Sequence, residues 1–383
     1  MHRTSMWPSY HQMVRRLLFF CCVVGTTVLL VNCFRYTLNM KRHKYKYKLP
    51  FRGEGEADNV HRQAPGDAGP FTFDQGQPVH PTKKYIVCVC IGSYIGGLSD
   101  RLKGFVTGYL LSQMLGREFG IVMEDPCNLA EYWQPNMVSW RLNIGHIRAR
   151  HQQRMRVIDN KQFALDMESS DLNDVFKADV INMTINVNCV KHLMRNPLFK
   201  AVEWARNKSE YEIYKHIVGV LFRLSPSTAS RYNALQRRVG AKTLVCAHLR
   251  MGRSKTMPND EVRRTRKPKP RGVITFLQRW NQSEVFKIFL ATDSDNIRKK
   301  FQNAFPQTYI ENEGPIVHID RSKNYTCEGL EKVILDLHVL SMCRVLVMSI
   351  SGLSRTAAIL RASDDNLYIA SPTNISATPR LPV

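Results

Sequence analysis

Acidic residues are scarce in this chain of 383 residues: 32 Asp and Glu stand against 55 Lys and Arg, a formal net charge of +23. Such an excess admits nucleic acid, an anionic membrane, acidic glycans or an anionic small substrate, so its placement matters more than its sum. The densest stretch, Arg250–Arg271, holds 9 Lys and Arg against 2 Asp and Glu and contains no aromatic residue. A surface that stacks bases needs such rings, and we expect no nucleic-acid partner. Zinc spacing is missing as well, because Cys88 and Cys90 are only two apart and no second pair answers them. Neither the G-x-G-x-x-G fingerprint nor the P-loop lysine pattern occurs, which removes two familiar Gly-rich phosphate loops.

One long apolar run is present. Leu17–Phe34 is uncharged over 18 residues, with Arg15 and Arg16 before it and Arg35 after it. Crossing a bilayer takes roughly 17–25 apolar residues. Small-residue cleavage geometry is poor around Asn32, Cys33 and Phe34, which argues against a removable signal peptide. We read 1–16 as a cytoplasmic tail, 17–34 as an uncleaved transmembrane anchor and 35–82 as a stem, rich in Gly, Pro, Asp and Gln beyond Arg52. Basic residues are more numerous after the run than before it, which by the positive-inside rule favours the reverse orientation. Sequons at Asn182, Asn207, Asn281, Asn324 and Asn374, with seven cysteines after the anchor, favour a lumenal globular part. The expected placement is a single-pass type II protein of the Golgi or ER membrane. Seven is odd, so at least one thiol is free or pairs between chains.

From Lys83 the texture changes. Tyr85–Ile91 is a continuous apolar run suited to a buried parallel strand. The turn GSYIGG follows, and then Asp100–Gly116 repeats apolar residues at helical spacing. Strand, Gly-rich turn and helix open a nucleotide-binding α/β unit, although a tight turn without ligand has the same pattern. Phe119–Met123 reads as the next strand, residues 127–240 as helix-biased, and Tyr211–Leu224 as a helix. A second set begins at Thr243. We expect strands at Thr243–Ala247, Phe286–Ala291, Val317–Ile319, Val345–Met348 and Leu367–Ala370, and helices at Asp295–Ala304, Gly329–Met342 and Ser354–Ala362. The alternation predicts two α/β domains, 83–240 and 241–383, with a cleft between them.

Three strands of the second set end in polar residues at one edge. The first ends in His248, Arg250 and Gly252, the second in Asp293 to Asp295, the third in Ser349, Ser351 and Ser354. Alternation puts His248 and Arg250 on one side. The arginine fork suits phosphate oxygens, Gly252 permits close backbone approach, and a helix N-terminus attracts anions. Helix capping alone would account for the second and third. Coincidence at one sheet edge favours a ligand, a nucleoside diphosphate.

In order along the chain, GGLSDRL from Gly96, AHLRMG from Ala247, LATDS from Leu290, and an Asp336-x-x-x-Leu-Ser helix leading to SISGLSRTAAIL from Ser349 resemble the fucosyltransferases with an H-x-R-x-G motif. These include protein O-fucosyltransferases and α1,2- and α1,6-fucosyltransferases. The resemblance implies a GT-B type fold of two facing Rossmann-like domains. It also implies inverting, metal-independent transfer of L-fucose from a nucleotide sugar donor, GDP-fucose, to a glycan or glycoprotein acceptor, with no cofactor. By position, Arg250 would hold the β-phosphate and stabilise the leaving GDP, and His248 would fix the motif loop or the nucleotide. Gly96, Gly97, Asp100 and Arg101 would line phosphates and fucose from the opposite domain. Gly252 would keep the loop close, Asp293 would meet the guanine or ribose, and Ser351 with Ser354 the phosphates. Where the family usually has an acidic residue just after the motif glycine, this chain has Arg253, Ser254 and Lys255, and Asp100 stands where Asn is usual.

The catalytic base stays open among Asp100, Glu124, Asp125 and Asp260. Two rivals remain. One is a non-catalytic binder of acidic glycans, using Arg250–Arg271 on an inactive transferase scaffold. The other is a sulfotransferase, which would need a phosphosulfate-binding loop with Ser or Thr after the first strand and a catalytic base soon after; the turn IGSYIGGLSD here fits that poorly.

Overall fold

The apolar run after Lys83 becomes strand β1, Tyr85–Cys90, buried on both faces. A computed structural model describes residues 80–91, 95–143, 150–253, 258, 260–261, 267–320 and 326–380. These belong to one compact unit, Thr72–Val383. The expected tail 1–16, anchor 17–34 and stem to residue 79 lie outside the described residues. Among the described residues no helix is long and apolar enough to cross a membrane.

After β1 come α1 (Leu98–Met114), β2 (Glu118–Met123), β3 (Trp133–Pro135), β4 (Gln152–Val157), α2 (Lys161–Ser169), β5 (Val180–Ile185), α3 (Glu210–Leu221), β6 (Phe222–Leu224) and α4 (Pro226–Val239). Then follow β7 (Thr243–Leu249), α5 (Pro270–Leu277), β8 (Phe286–Thr292), α6 (Asp295–Ala304), β9 (Tyr309–Ile310), α7 (Thr326–Met342), β10 (Val345–Met348), α8 (Gly352–Leu360), β11 (Leu367–Ala370) and β12 (Ile375–Ala377). The first four-stranded sheet has the order β2-β1-β5-β4 and is parallel throughout. The second has the order β12-β11-β10-β7-β8-β9 and is parallel except for β12.

Residues 127–240 are less helical than their composition suggests, since β4 and β5 complete the first sheet there. The helix expected to reach Leu224 ends at Leu221, because Phe222–Leu224 pairs antiparallel with Trp133–Pro135. Trp133 stacks on Phe222 with ring centroids 4.8 Å apart, which secures that ribbon. No strand forms at Val317–Ile319; the edge strand after α6 is Tyr309–Ile310 instead.

Two disulfides lock the unit: Cys127–Cys327 spans a sequence separation of 200 and Cys246–Cys343 one of 97. Cys88, Cys90 and Cys189 are buried thiols, and burial pushes Cys90 up to about 11 and Cys189 up to about 12. The sequons divide. Asn207, Asn281 and Asn374 are exposed, Asn324 lies outside the described residues, and Asn182 sits within the central strand β5. It is half-buried there, and its amide donates to Gln152 at 2.8 Å.

Candidate active site

The second sheet winds outward both ways from β7: chain order runs to β8 and β9 on one side and to β10 and β11 on the other. In such a sheet the crevice beyond the carboxyl ends of the strands at the reversal is where ligands bind. The loop after β7 carries Arg250, and the one after β10 carries Ser349 and Ser351. Two hydrogen bonds tie these loops: Ser349 N–H donates to the His248 carbonyl at 3.0 Å, and Arg250 N–H donates to Ser349 Oγ at 2.9 Å.

A cleft of about 210 Å³ opens at this point. Two helix N-termini meet on it, Gly97–Asp100 leading into α1 and Ser351–Leu353 leading into α8. They approach so closely that a Cβ added at Gly352 would stand 3.0 Å from that of Ser99. Ser99 and Thr356 share a buried hydrogen bond of 2.8 Å. At α8 the N-cap residue Ser351 makes no side-chain capping bond, so the first amides of that helix keep their capacity for an anion.

Arg250 is held from two sides. Nη1 bonds Asp293 at 2.6 Å and Nη2 pairs with Asp260. Two of the five guanidinium N–H groups are thereby committed and the fork is fixed in orientation. Asp293 also accepts from Met251 N–H at 2.6 Å and Gly252 N–H at 2.8 Å. Gly252 has a φ of 77°, a left-handed conformation that glycine adopts at little cost. The charges of Arg250, Asp260 and Asp293 sum to about −1 if all ionise, so positive potential for a diphosphate has to come also from the helix ends.

Of the residues singled out in the sequence, His248, Arg250, Asp293, Gly97, Asp100 and Ser351 line the cleft. Others do different work. Arg101 does not face it: buried to 1% exposure, it donates to the Asp125 carbonyl at 2.6 Å and to Asp320 at 3.0 Å. Gly96 lies behind as well, its N–H donating to Asp320 at 2.7 Å. Ser354 is fully buried and hydrogen-bonds His248 Nδ1, so it orients the imidazole and does not meet a phosphate. The Asp293 carboxylate, expected to meet guanine or ribose, is consumed by the Arg250 loop. Among the four carboxylates eligible as base, Asp100 alone lines the cleft. Asp260 is buried against Arg250.

Sequence reasoning missed Asp320, because its partners stand more than 200 residues away. It also missed Lys332, one helical turn before Asp336 and bonded to it at 2.8 Å. Lys332 and Asp336 line the cleft, and Asn312 donates to the other Asp336 oxygen at 3.0 Å. Asp336 was visible as a motif member only, without a role.

Two largely parallel sheets with helices packed on them, and a cleft at a strand reversal, define an α/β architecture of the doubly wound kind. No family profile and no curated sequence matches the chain. Solved structures do. Fucosyltransferase FUT1 of Arabidopsis thaliana, in complex with GDP, is 12% identical with a TM-score of 0.53 over 78% of this chain and 72% of that one. NodZ fucosyltransferase from Bradyrhizobium is 13% identical with a TM-score of 0.49, over 78% of this chain and 100% of that one. POFUT1 in complex with GDP is 12% identical with a TM-score of 0.43, over 75% and 99%. The likeness to the Arabidopsis enzyme shows the fold: this chain has the fold of a fucosyltransferase.

Proposed function

We propose that the protein transfers L-fucose from GDP-fucose to a glycan or glycoprotein acceptor, with inversion and without a metal, on a GT-B arrangement of two Rossmann-like domains. The observation that carries this reading is the uncapped N-terminus of α8 beside the fixed fork of Arg250 in one cleft. Helix amides and the remaining guanidinium N–H groups receive the diphosphate. They stabilise charge on it as the bond from fucose C1 to the phosphate oxygen breaks. Asp336, on the cleft wall, has both carboxylate oxygens bonded within the protein, to Lys332 at 2.8 Å and to Asn312 at 3.0 Å, and so holds that wall in place. Asp100 takes the proton from the acceptor hydroxyl that attacks C1. Its carboxylate is held by Lys103 at 2.8 Å and Gly97 N–H at 3.1 Å. By its sequons and basic apolar N-terminus, we place the protein in the Golgi or ER membrane through one helix, with the site lumenal.

A screen of nucleotide sugars for hydrolysis and transfer, with thermal shift as a second readout, tests this. GDP at a hundredfold excess over Kd would add about 2.7 kcal/mol of stability. One observation favours the binder alternative: Arg250 is already paired with two carboxylates. Heparin binding with steep salt dependence, and no stabilisation by GDP, would decide for it.

A further inference from the structure

A second cavity lies at the opposite end of β7, away from the cleft, and encloses about 360 Å³. Its walls are mostly apolar: Leu235 and Val239 of α4, Phe289 of β8 and Val339 of α7 line it, with Tyr232, Gln236 and Thr243 among them. Met342, 62% exposed, stands at its rim. No Asp or Glu lines the cavity, whereas two cations do, Lys242 just before β7 and Arg344 just before β10. Among the described residues neither cation has an ion-pair partner. Packing would favour filling such a space with side chains, and here it is left open.

We propose that the cavity binds a single-chain amphiphile with a carboxylate head. The hydrocarbon lies along Leu235, Val239, Phe289 and Val339, where it leaves water for an apolar wall. The carboxylate sits at the mouth, between the Lys242 ammonium and the Arg344 guanidinium, in charge-assisted hydrogen bonds. A neutral head forgoes those bonds, and a cationic head is repelled by both groups. The volume lies near the lower end of small-ligand pockets, roughly 300–1,000 Å³, which fits one chain and not two. The inference stands apart from the fucosyl-transfer reading, since no residue is shared between cavity and cleft.

The test uses the full chain in detergent-free polymer nanodiscs and a photoreactive dodecanoate carrying a diazirine in its chain. Cross-links are mapped by mass spectrometry. Labelling is expected on the cavity lining, within 232–244 or 339–344 or at Phe289 or Ile310, competed by dodecanoate and not by dodecanol or dodecylammonium. Lys242→Glu with Arg344→Glu should lower it about tenfold or more, a loss of one decade in affinity. Val239→Trp, which fills the cavity, should abolish it while the double variant keeps the wild-type melting temperature. Labelling confined to other segments, competition by dodecanol equal to that by dodecanoate, or undiminished labelling in the charge-reversed protein would overturn the proposal.

Discussion

The two helix N-termini that meet on the cleft are built in opposite ways. Leading into α1, the Gly97 N–H is taken by the side chain of Asp100 and the Gly96 N–H by Asp320. Leading into α8, Ser351 makes no capping bond. The same contrast recurs in the loop after β7, where the amides of Met251 and Gly252 are spent on Asp293. Turns rich in glycine thus have their donors consumed in holding the walls in place, and the plain Ser-Gly-Leu start of α8 is left to receive an anion. Donors bonded within the protein position a site; donors left open bind.

The largest effect should come from removing the group that closes the first turn. Asp320→Ala leaves Arg101 buried without its counter-ion and frees the Gly96 amide. Breaking a buried pair costs about 3–5 kcal/mol, read as a lowered urea midpoint with unchanged slope. Asp320→Asn, which keeps an acceptor for the amide, should fall between. Midpoints equal to wild type in both would remove the distinction between a spent and an open turn. Next comes Arg250→Lys, which keeps the charge and gives up the fork. Loss of a fixed donor to a leaving group is worth about 10²–10³ in turnover, with the melting temperature within a few degrees of wild type. Equal donor hydrolysis and transfer by the variant would contradict the role of Arg250.

Behind the cleft, α7 carries a histidine that extends the contrast to packing. His338 accepts from Trp133 Nε1 at 3.1 Å, and burial lowers its pKa to about 4 from about 6.5 in the unfolded chain. Between these values the unfolded state binds the extra proton, so stability present above pH 6.5 is lost as pH falls toward 4. The full shift is worth about 3 kcal/mol. His338→Gln, which retains an acceptor for Trp133, should flatten the stability profile between pH 6.5 and 5. A profile parallel to wild type would place the acid sensitivity elsewhere.

How far the sequence speaks differs between these parts for physical reasons. β1, β7, β10 and β11 are buried apolar strands of a parallel sheet, and their runs are legible because both faces need apolar side chains. β4, with Arg154 and Arg156, is a sheet edge, and β5 breaks its apolar pattern with Asn182 and Thr184. Neither advertises itself. At the site, strand-end position identified His248, Arg250 and Ser351 as cleft residues, because alternation and strand ends are local properties. Arg101 and Ser354 carry the same kind of side chain, yet they turn inward to partners 219 and 106 residues distant. Only the fold reveals which polar groups are satisfied by such remote pairings.

The smallest effect separates the two helix starts most directly. Asp100→Ala, which also takes away the proposed base and should stop transfer, removes the acceptor for the Gly97 N–H, so in stability α1 should lose about 0.5–2 kcal/mol, the usual worth of a cap. Ser351→Ala removes no hydrogen bond from α8, so its melting temperature should be that of wild type. Ser351 lines the cleft, and a lost ligand hydrogen bond of about 0.5–1.5 kcal/mol should raise the Kd for GDP several-fold in calorimetric titration. Stability and affinity therefore move apart, with the capped helix losing the first and the uncapped helix the second. If Ser351→Ala lowered the melting temperature as much as Asp100→Ala and left GDP binding untouched, the hydroxyl would be a structural cap. The anion would then have to be sought at Arg250 alone.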